Sequence, residues 1–428
     1  MSMPRSSHAA QWRPMTRPKT LTEKPMARTA ASRPADAALA APTPLLGGLS
    51  PEAFMRRHWQ KKPLLIRQAV PGVRPPLGRA ELFSLAGRDD VESRLIVHEP
   101  GRTAGKKAAS APTSGWRLEH GPLARRALPP LTQPAWTLLV QGLDLHVPAA
   151  HDLLTRFRFV PEARLDDLMI SYATDGGGVG PHYDSYDVFL LQVHGKRRWR
   201  IGRLKDDNLL PDVPLKILSQ FEAEQEWVLE PGDMLYLPPR WAHDGIAEGE
   251  CMTCSIGFRA PDANGLAAEL LVRLAENLDD ARRQLYRDPA QPATTEPGRM
   301  PSDLQAFAAD AVMRALRDPL QLQAALGEIL TEPKPKVWFE LGDPLPEGAG
   351  VVLDARTRMM YDDKHLFANG DSWRAAGADA RLLRRLADAR RLDARAVAGA
   401  SPEARELLDQ WAEDGWLHPE IPDSTDQH

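Results

Sequence analysis

Cysteine is almost missing from this chain: two occur in 428 residues, Cys251 and Cys254. They form a C-x-x-C, but no second pair is present to complete a four-ligand zinc site. They lie in the apparent strand Cys251-Met-Thr-Cys-Ser-Ile-Gly-Phe, where positions three apart face opposite ways, so they read as packing residues in a reducing cytoplasm. Also lacking is any apolar run long enough to span a membrane, and the first residues carry no apolar core of a signal peptide. A net charge of −4 excludes a chain-wide basic coating for nucleic acid. The glycines of Asp175-Gly-Gly-Gly-Val-Gly-Pro match neither a G-x-x-x-x-G-K-[ST] phosphate loop nor G-x-G-x-x-G, and no helix pattern comes after them. They read instead as a place where backbone approaches backbone closely.

The stretch after those glycines organises the chain. His182 and Asp184 are two apart, just before the apolar run Val188-Phe-Leu-Leu. On a strand both side chains point to one face, where a histidine and a carboxylate can hold one metal ion. A third ligand has to come from elsewhere. His243 is the best candidate, at the end of Pro231-Gly-Asp-Met-Leu-Tyr-Leu-Pro-Pro-Arg-Trp-Ala-His. Two histidines and one carboxylate on one face of a metal is the arrangement of non-haem Fe(II) oxygenases. The competing view is a surface His-x-Asp met by chance, with no metal.

Taken in order, residues 1–45 are Arg- and Pro-rich and acid-poor, which predicts a disordered basic tail, with an organelle transit peptide as the alternative. Ser50-Pro-Glu opens a helix. From 46 to 262, short apolar strands separated by Gly and Pro predict an all-β sandwich or barrel, with an exposed loop at 102–115. From 263 to 332 the period changes. Leu266, Leu270, Leu274 and Leu278, widened by Leu271 and Leu285, predict an amphipathic helix. Ser302 is expected to cap a second helix, and a third runs from Pro319 to about Leu330. Their broad apolar faces suggest a subunit interface. Residues 333–428 mix strands at Val351 and Met359, a hairpin at Asn369-Gly370, and helices at 378–391 and 402–414. Helices with a hairpin suggest a winged helix. From 337 onward, eleven Lys and Arg face eighteen Asp and Glu, which argues against DNA and for a structural part or a basic partner.

Assembled, these pieces resemble the JmjC-type ribosomal oxygenases, among them the bacterial ribosomal-protein arginine hydroxylases. The matching stretches are His58-Trp-Gln-Lys-Lys-Pro-Leu, Val91-Glu-Ser-Arg, His120-Gly-Pro-Leu, Asp167-Leu-Met-Ile-Ser, Gly176-Gly-Gly-Val-Gly-Pro-His-Tyr-Asp, Arg197-Arg-Trp-Arg, the Pro231 stretch and Ser255-Ile-Gly-Phe-Arg-Ala-Pro. The resemblance implies a double-stranded β-helix (cupin/JmjC) catalytic domain, a helical dimerisation region and a C-terminal winged-helix-like α+β domain. It implies Fe(II), with 2-oxoglutarate and dioxygen as cosubstrates, in a cytoplasmic homodimer. It makes His182, Asp184 and His243 the iron ligands, Arg197 the partner of the far carboxylate of 2-oxoglutarate, and Ser171 a hydroxyl partner for the cosubstrate. Arg198 should point to the opposite sheet face, and Lys196, Arg200 and Arg240 should be surface charges.

The implied target is an arginine β-carbon of large-subunit ribosomal protein sixteen. A half-buried guanidinium has to be paired, so Asp175 is expected to supply a carboxylate and Tyr183 and Tyr186 ring faces. For Asp175 a turn-capping role is the alternative. Two other functions compete: a histidine hydroxylase or demethylase of the same fold, and a cupin-like metal-binding regulatory module.

Overall fold

The computed structural model describes residues 34–99, 115–277, 284–374 and 376–420. The expected loop at 102–115 falls almost entirely outside them, and so does the tail up to residue 33. The rest of the supposed tail is ordered. Pro34–Ala40 is helix α1, and a 3₁₀ turn at Pro44–Leu46, capped by Thr43, buries Leu45 and Leu46 against the core. Only the apolar Leu45-Leu46 pair leaves solvent, while residues 37–42 stay exposed.

Helix α2 (Pro51–Arg57) starts as expected, with the Ser50 hydroxyl accepting from Ala53 N at 3.2 Å. The catalytic half is a nine-stranded antiparallel sheet: β1 (Leu64–Ile66), β2 (Ser93–His98), β3 (Trp116–His120), β4 (Trp136–Val140), β5 (Leu165–Ala173), β6 (Val188–Arg203), β7 (Gln225–Leu229), β8 (Met234–Leu237) and β9 (Trp241–Phe258). Their order across the sheet is β1-β8-β6-β9-β5-β4-β2-β3, with β7 also on β6. The two long strands β6 and β9 pair from Val188↔Gly257 to Arg203↔Trp241, with register shifts on either side of His194. β8 and β5 flank one half of this ribbon and β7 the other, so the sheet curls into the double-stranded β-helix. One face carries the large core around Phe54, Trp136, Tyr172, Phe189 and Tyr236. The other lines the barrel with Leu190, Trp199, Ile201, Leu229 and Leu235. Alternation along β6 and β9 produces both faces from one pair of strands. Cys251 and Cys254 are buried free thiols on β9.

Beyond the barrel come α3 (Ala263–Glu276), α4 (Ser302–Ala315) and α5 (Pro319–Thr331). The first carries Leu266, Leu270, Leu271 and Leu274 and is capped at Asn277; Leu278 lies outside the described residues, and Leu285 is 78% exposed. Ser302 is the first helical residue and bonds Asp303, while Pro301 holds the cap position. Helix α5 packs on α3 on one side and on the C-terminal hairpin strands on the other. That hairpin, His365–Ala368 with Asp371–Arg374, turns at Asn369 and Gly370 as expected, both at positive φ. It packs with helices Gly377–Ala389 and Pro402–Glu413 around Leu386, Leu408 and Trp411. Among the described residues no helix is long and apolar enough to cross a membrane.

A buried ionic group joins the two halves. Lys334 Nζ lies 2.9 Å from Asp166 and 3.6 Å from Asp167. Beneath it, Asp144 accepts from Leu168 N, and Asp167 from Gly142 N and Gln141 Nε2. Burial, and then the Asp167 charge, push the Asp144 carboxyl up to about 7. A carboxyl raised on folding stabilises most below the unfolded value near 3.8, and that contribution is lost as pH climbs to 7. Asp144→Asn keeps the acceptor for Leu168 N and removes the titration. The variant should therefore exceed the wild type by roughly 1–3 kcal/mol at pH 8 and match it near pH 4. Urea unfolding at the two pH values reads this. Parallel pH slopes for both proteins would mean that Lys334 already neutralises the site.

Candidate metal centre

His182, Asp184 and His243 each offer a ligand atom, and these three atoms lie within 4.8 Å of one another. His182 sits in a single bridge rather than on an extended strand. The stretch between β5 and β6 is held to the start of β9 by His182 N to His243 O at 3.0 Å and His243 N to His182 O at 2.8 Å. Arg240 N also donates to Asp184 O, at 2.8 Å. The expected strand shrinks to one pair of residues because Gly180, at φ 79, breaks the extended run just before it. The two-residue spacing still puts both ligands towards His243, whose Nε2 is 3.7 Å from Asp184 Oδ2.

Backbone carbonyls fix the protons. His182 Nδ1 is 2.9 Å from Gly180 O, and His243 Nδ1 is 3.0 Å from Trp241 O. A carbonyl can only accept, so both Nδ1 atoms carry hydrogen, which leaves Nε2 as the ligand atom each ring can offer. Burial, and then the adjacent His182, push His243 down to about 4, so its ring is neutral at pH 7. Two imidazoles that present Nε2 and a carboxylate, each braced through its backbone or second nitrogen, suit a divalent metal with open positions.

The close glycine approach is present. A Cβ on Gly178 would stand 2.6 Å from Gly245 O, so only glycine allows this loop to lie on β9 beside the ligands. From the other side, Gln60 and Tyr236 hold Asp187 at the foot of β6, at 3.0 and 2.6 Å. Gln60 belongs to the His58-Trp-Gln-Lys-Lys-Pro stretch, whose local task is thus to brace the ligand loop. No short-range signal in the sequence pointed to that contact.

Arg197 is 5% exposed, inside the barrel. Its Nη1 donates to Ser171 Oγ at 3.1 Å, and Ser171 in turn donates to Thr253 O at 3.3 Å. Ser171 therefore has its hydroxyl engaged with Arg197 and holds that side chain in place. Arg197 Nε and Nη2 are buried without an acceptor among the described residues. Two free guanidinium donors beside a metal triad fit the far carboxylate of a dicarboxylic cosubstrate. Arg198 points outward to Glu226 and Glu248, Lys196 to Glu230 and Arg200 to Asp244, as expected of the opposite face and the surface. Arg240 is likewise exposed, and its guanidinium lies over the Tyr183 ring, 5.6 Å from its centre. Tyr186 is 39% exposed at the rim.

Asp175 is not brought to the triad. It is exposed, and its Oδ1 accepts from Gly249 N at 2.8 Å, capping a turn. Gly249 is six residues along β9 from His243, which at a strand's rise puts it roughly 20 Å away. Nearness in sequence to His182 misled because the glycine loop runs back along β9 before it reaches the metal ligands.

A facial triad on a curled antiparallel barrel, with a buried arginine deep inside, defines a JmjC-type 2-oxoglutarate-dependent oxygenase, and a JmjC domain model matches residues 152–266. A ROXA-like winged-helix model matches residues 313–418. The chain is 32% identical over 335 residues to the ribosomal protein uL16 3-hydroxylase of Escherichia coli K12, covering 74% of this chain and 84% of that protein. It is 29% identical to a probable ribosomal oxygenase of Haemophilus influenzae, over 86% of this chain and 96% of that one. Among solved structures, the ribosomal oxygenase YcfD of E. coli in complex with cobalt and 2-oxoglutarate superposes with a TM-score of 0.71 at 28% identity, covering 87% and 99% of the two chains. The chain belongs to the JmjC-domain ribosomal oxygenases.

Proposed function

We propose that this chain hydroxylates the β-carbon of an arginine side chain in large-subunit ribosomal protein sixteen, uL16, in the cytoplasm. What carries the reading is the 32% identity, spread over 84% of its length, to a relative named as the uL16 3-hydroxylase. When bound, Fe(II) with 2-oxoglutarate and dioxygen supplies the oxidising power that places a hydroxyl on an unactivated carbon. The protein's own residues do the positioning. His182, Asp184 and His243 would hold the metal through the two imidazole Nε2 atoms and the carboxylate, and Arg197, steadied by Ser171, would fix the cosubstrate from inside the barrel. The apolar lining around Leu190, Leu235 and Trp199 keeps water from the reacting end. At the rim, Tyr183 and Tyr186 offer ring faces to the substrate guanidinium, although one face of Tyr183 is taken by Arg240. The acidic C-terminal unit suits a basic ribosomal protein.

Intact-mass analysis of ribosomal proteins from cells with and without this protein should show uL16 heavier by one oxygen only when it is present. A peptide with lysine at the target position should react poorly. A histidine-bearing peptide hydroxylated faster than the arginine one would replace this reading with a histidine hydroxylase.

We further propose a homodimer through the helical region. Leu274, expected at the interface, is 6% exposed and packed inside its own subunit, since α3 turns that side towards α5. On the helices themselves, Leu271, Val272, Val312 and Met313 are left outside, each more than half exposed. Leu271→Asp with Val272→Lys should convert a dimer into a folded monomer in sedimentation. A wild type that already sediments as a monomer ends the proposal.

A further inference from the structure

Trp199 lines the barrel and touches both ends of the site. It comes two residues after Arg197 on β6 and shares its face, with the Arg197 guanidinium carbon 5.7 Å from the indole centre. On its other side the His243 ring lies 5.9 Å away, centre to centre. The indole is 5% exposed. It lies flat against β9 at Gly245, where a Cβ would stand 2.6 Å from the ring. Any larger residue at 245 would push the indole off the strand, so its place is fixed by backbone and not by a movable side chain.

Within this fixed ring, Nε1 is buried and has no acceptor among the described residues. Leaving a buried donor unpaired is costly, and phenylalanine would fill most of the same space without that cost. Arg197 Nε and Nη2 are in the same condition on the same wall of the barrel. Three buried groups that can only donate, with no competing acceptor, call for a ligand that only accepts. A carboxylate does so.

We propose that the Trp199 indole N–H donates a hydrogen bond to bound 2-oxoglutarate, acting with Arg197 as a second protein donor to the cosubstrate. This rests on the reading of the barrel as a 2-oxoglutarate site and adds a binding residue to it. Arg197 supplies charge and two donors. Trp199 supplies one donor whose direction is set by the strand, so it orients the cosubstrate chain between the guanidinium and the metal ligands.

The test uses the full chain loaded with Zn(II), which is diamagnetic and does not turn over. Trp199→Phe should weaken 2-oxoglutarate binding in calorimetry by at least about tenfold, the range expected for losing a hydrogen bond to a charged group. Its Zn(II) affinity and thermal midpoint should stay within error of the wild type, or the midpoint should rise. In ¹⁵N-indole spectra, the signal missing from Trp199→Phe should move downfield when 2-oxoglutarate is added to the wild type. Unchanged affinity for Trp199→Phe, with an indole signal that does not move, overturns the proposal. Arg197→Met separates the two readings. If it loses 2-oxoglutarate binding while Trp199→Phe keeps it, only the tryptophan inference fails. If neither variant binds less tightly, the cosubstrate site itself is misplaced.

Discussion

His182→Ala and Asp184→Ala should each abolish 2-oxoglutarate turnover, by at least about 100-fold, while leaving the fold intact. Both side chains sit on the bridge loop and are partly exposed, so neither fills core volume. The loop itself is held by backbone bonds to His243 and Arg240 that a side-chain truncation leaves in place. Unfolding free energies should therefore stay within about 1 kcal/mol of the wild type. His243→Ala is a poorer probe. That ring is 3% exposed against Trp199, and its removal opens a cavity as well as the metal. Binding of Mn(II), followed by its relaxation signal, should fall together with turnover in both loop variants. Turnover at the wild-type rate in either one would remove that residue from the triad.

The second large effect concerns Arg197 and its neighbour. Arg197→Ala removes a buried cation and two donors aimed into the barrel, so the KM for 2-oxoglutarate should rise by about 100-fold or more. Arg198→Ala removes an exposed side chain paired with Glu226 and Glu248, and should shift KM by no more than about twofold. Stability should not keep the same order. A guanidinium held by a single hydrogen bond to Ser171 is expensive to bury, so Arg197→Ala should unfold no more readily than Arg198→Ala. Equal KM changes for the two variants would place the opposite face of β6 inside the barrel.

Much of the site was legible because its signals are local. The two-residue spacing of His182 and Asp184 directs both towards one side whether the backbone makes a strand or a single bridge. The alternation of Arg197 and Arg198 comes from the period of a strand, and it holds at 5% exposure against a solvent-facing ion pair. The Asn369-Gly370 turn, the Ser50 cap and the acidic balance of the C-terminal unit are likewise written in a few adjacent residues. The family motifs added which distant stretches belong together.

What the sequence could not supply is register, which is set across the whole sheet. Asp175 lies seven residues before His182, yet it meets Gly249, because β9 runs the loop's length in the opposite direction. Leu270 and Leu274 share a helical stripe with Leu271, but only packing on α5 decides which of them is core and which is surface. Trp199 reads as a packing aromatic until Gly245, brought opposite by a strand far along the chain, shows why the ring lies flat and where its N–H is stranded. The Asp144, Asp167 and Lys334 group likewise joins residues from three distant stretches. Side-chain periodicity needs only neighbours along the chain, whereas burial, pairing and desolvation depend on which strands and helices close over one another, and that is a property of the assembled barrel.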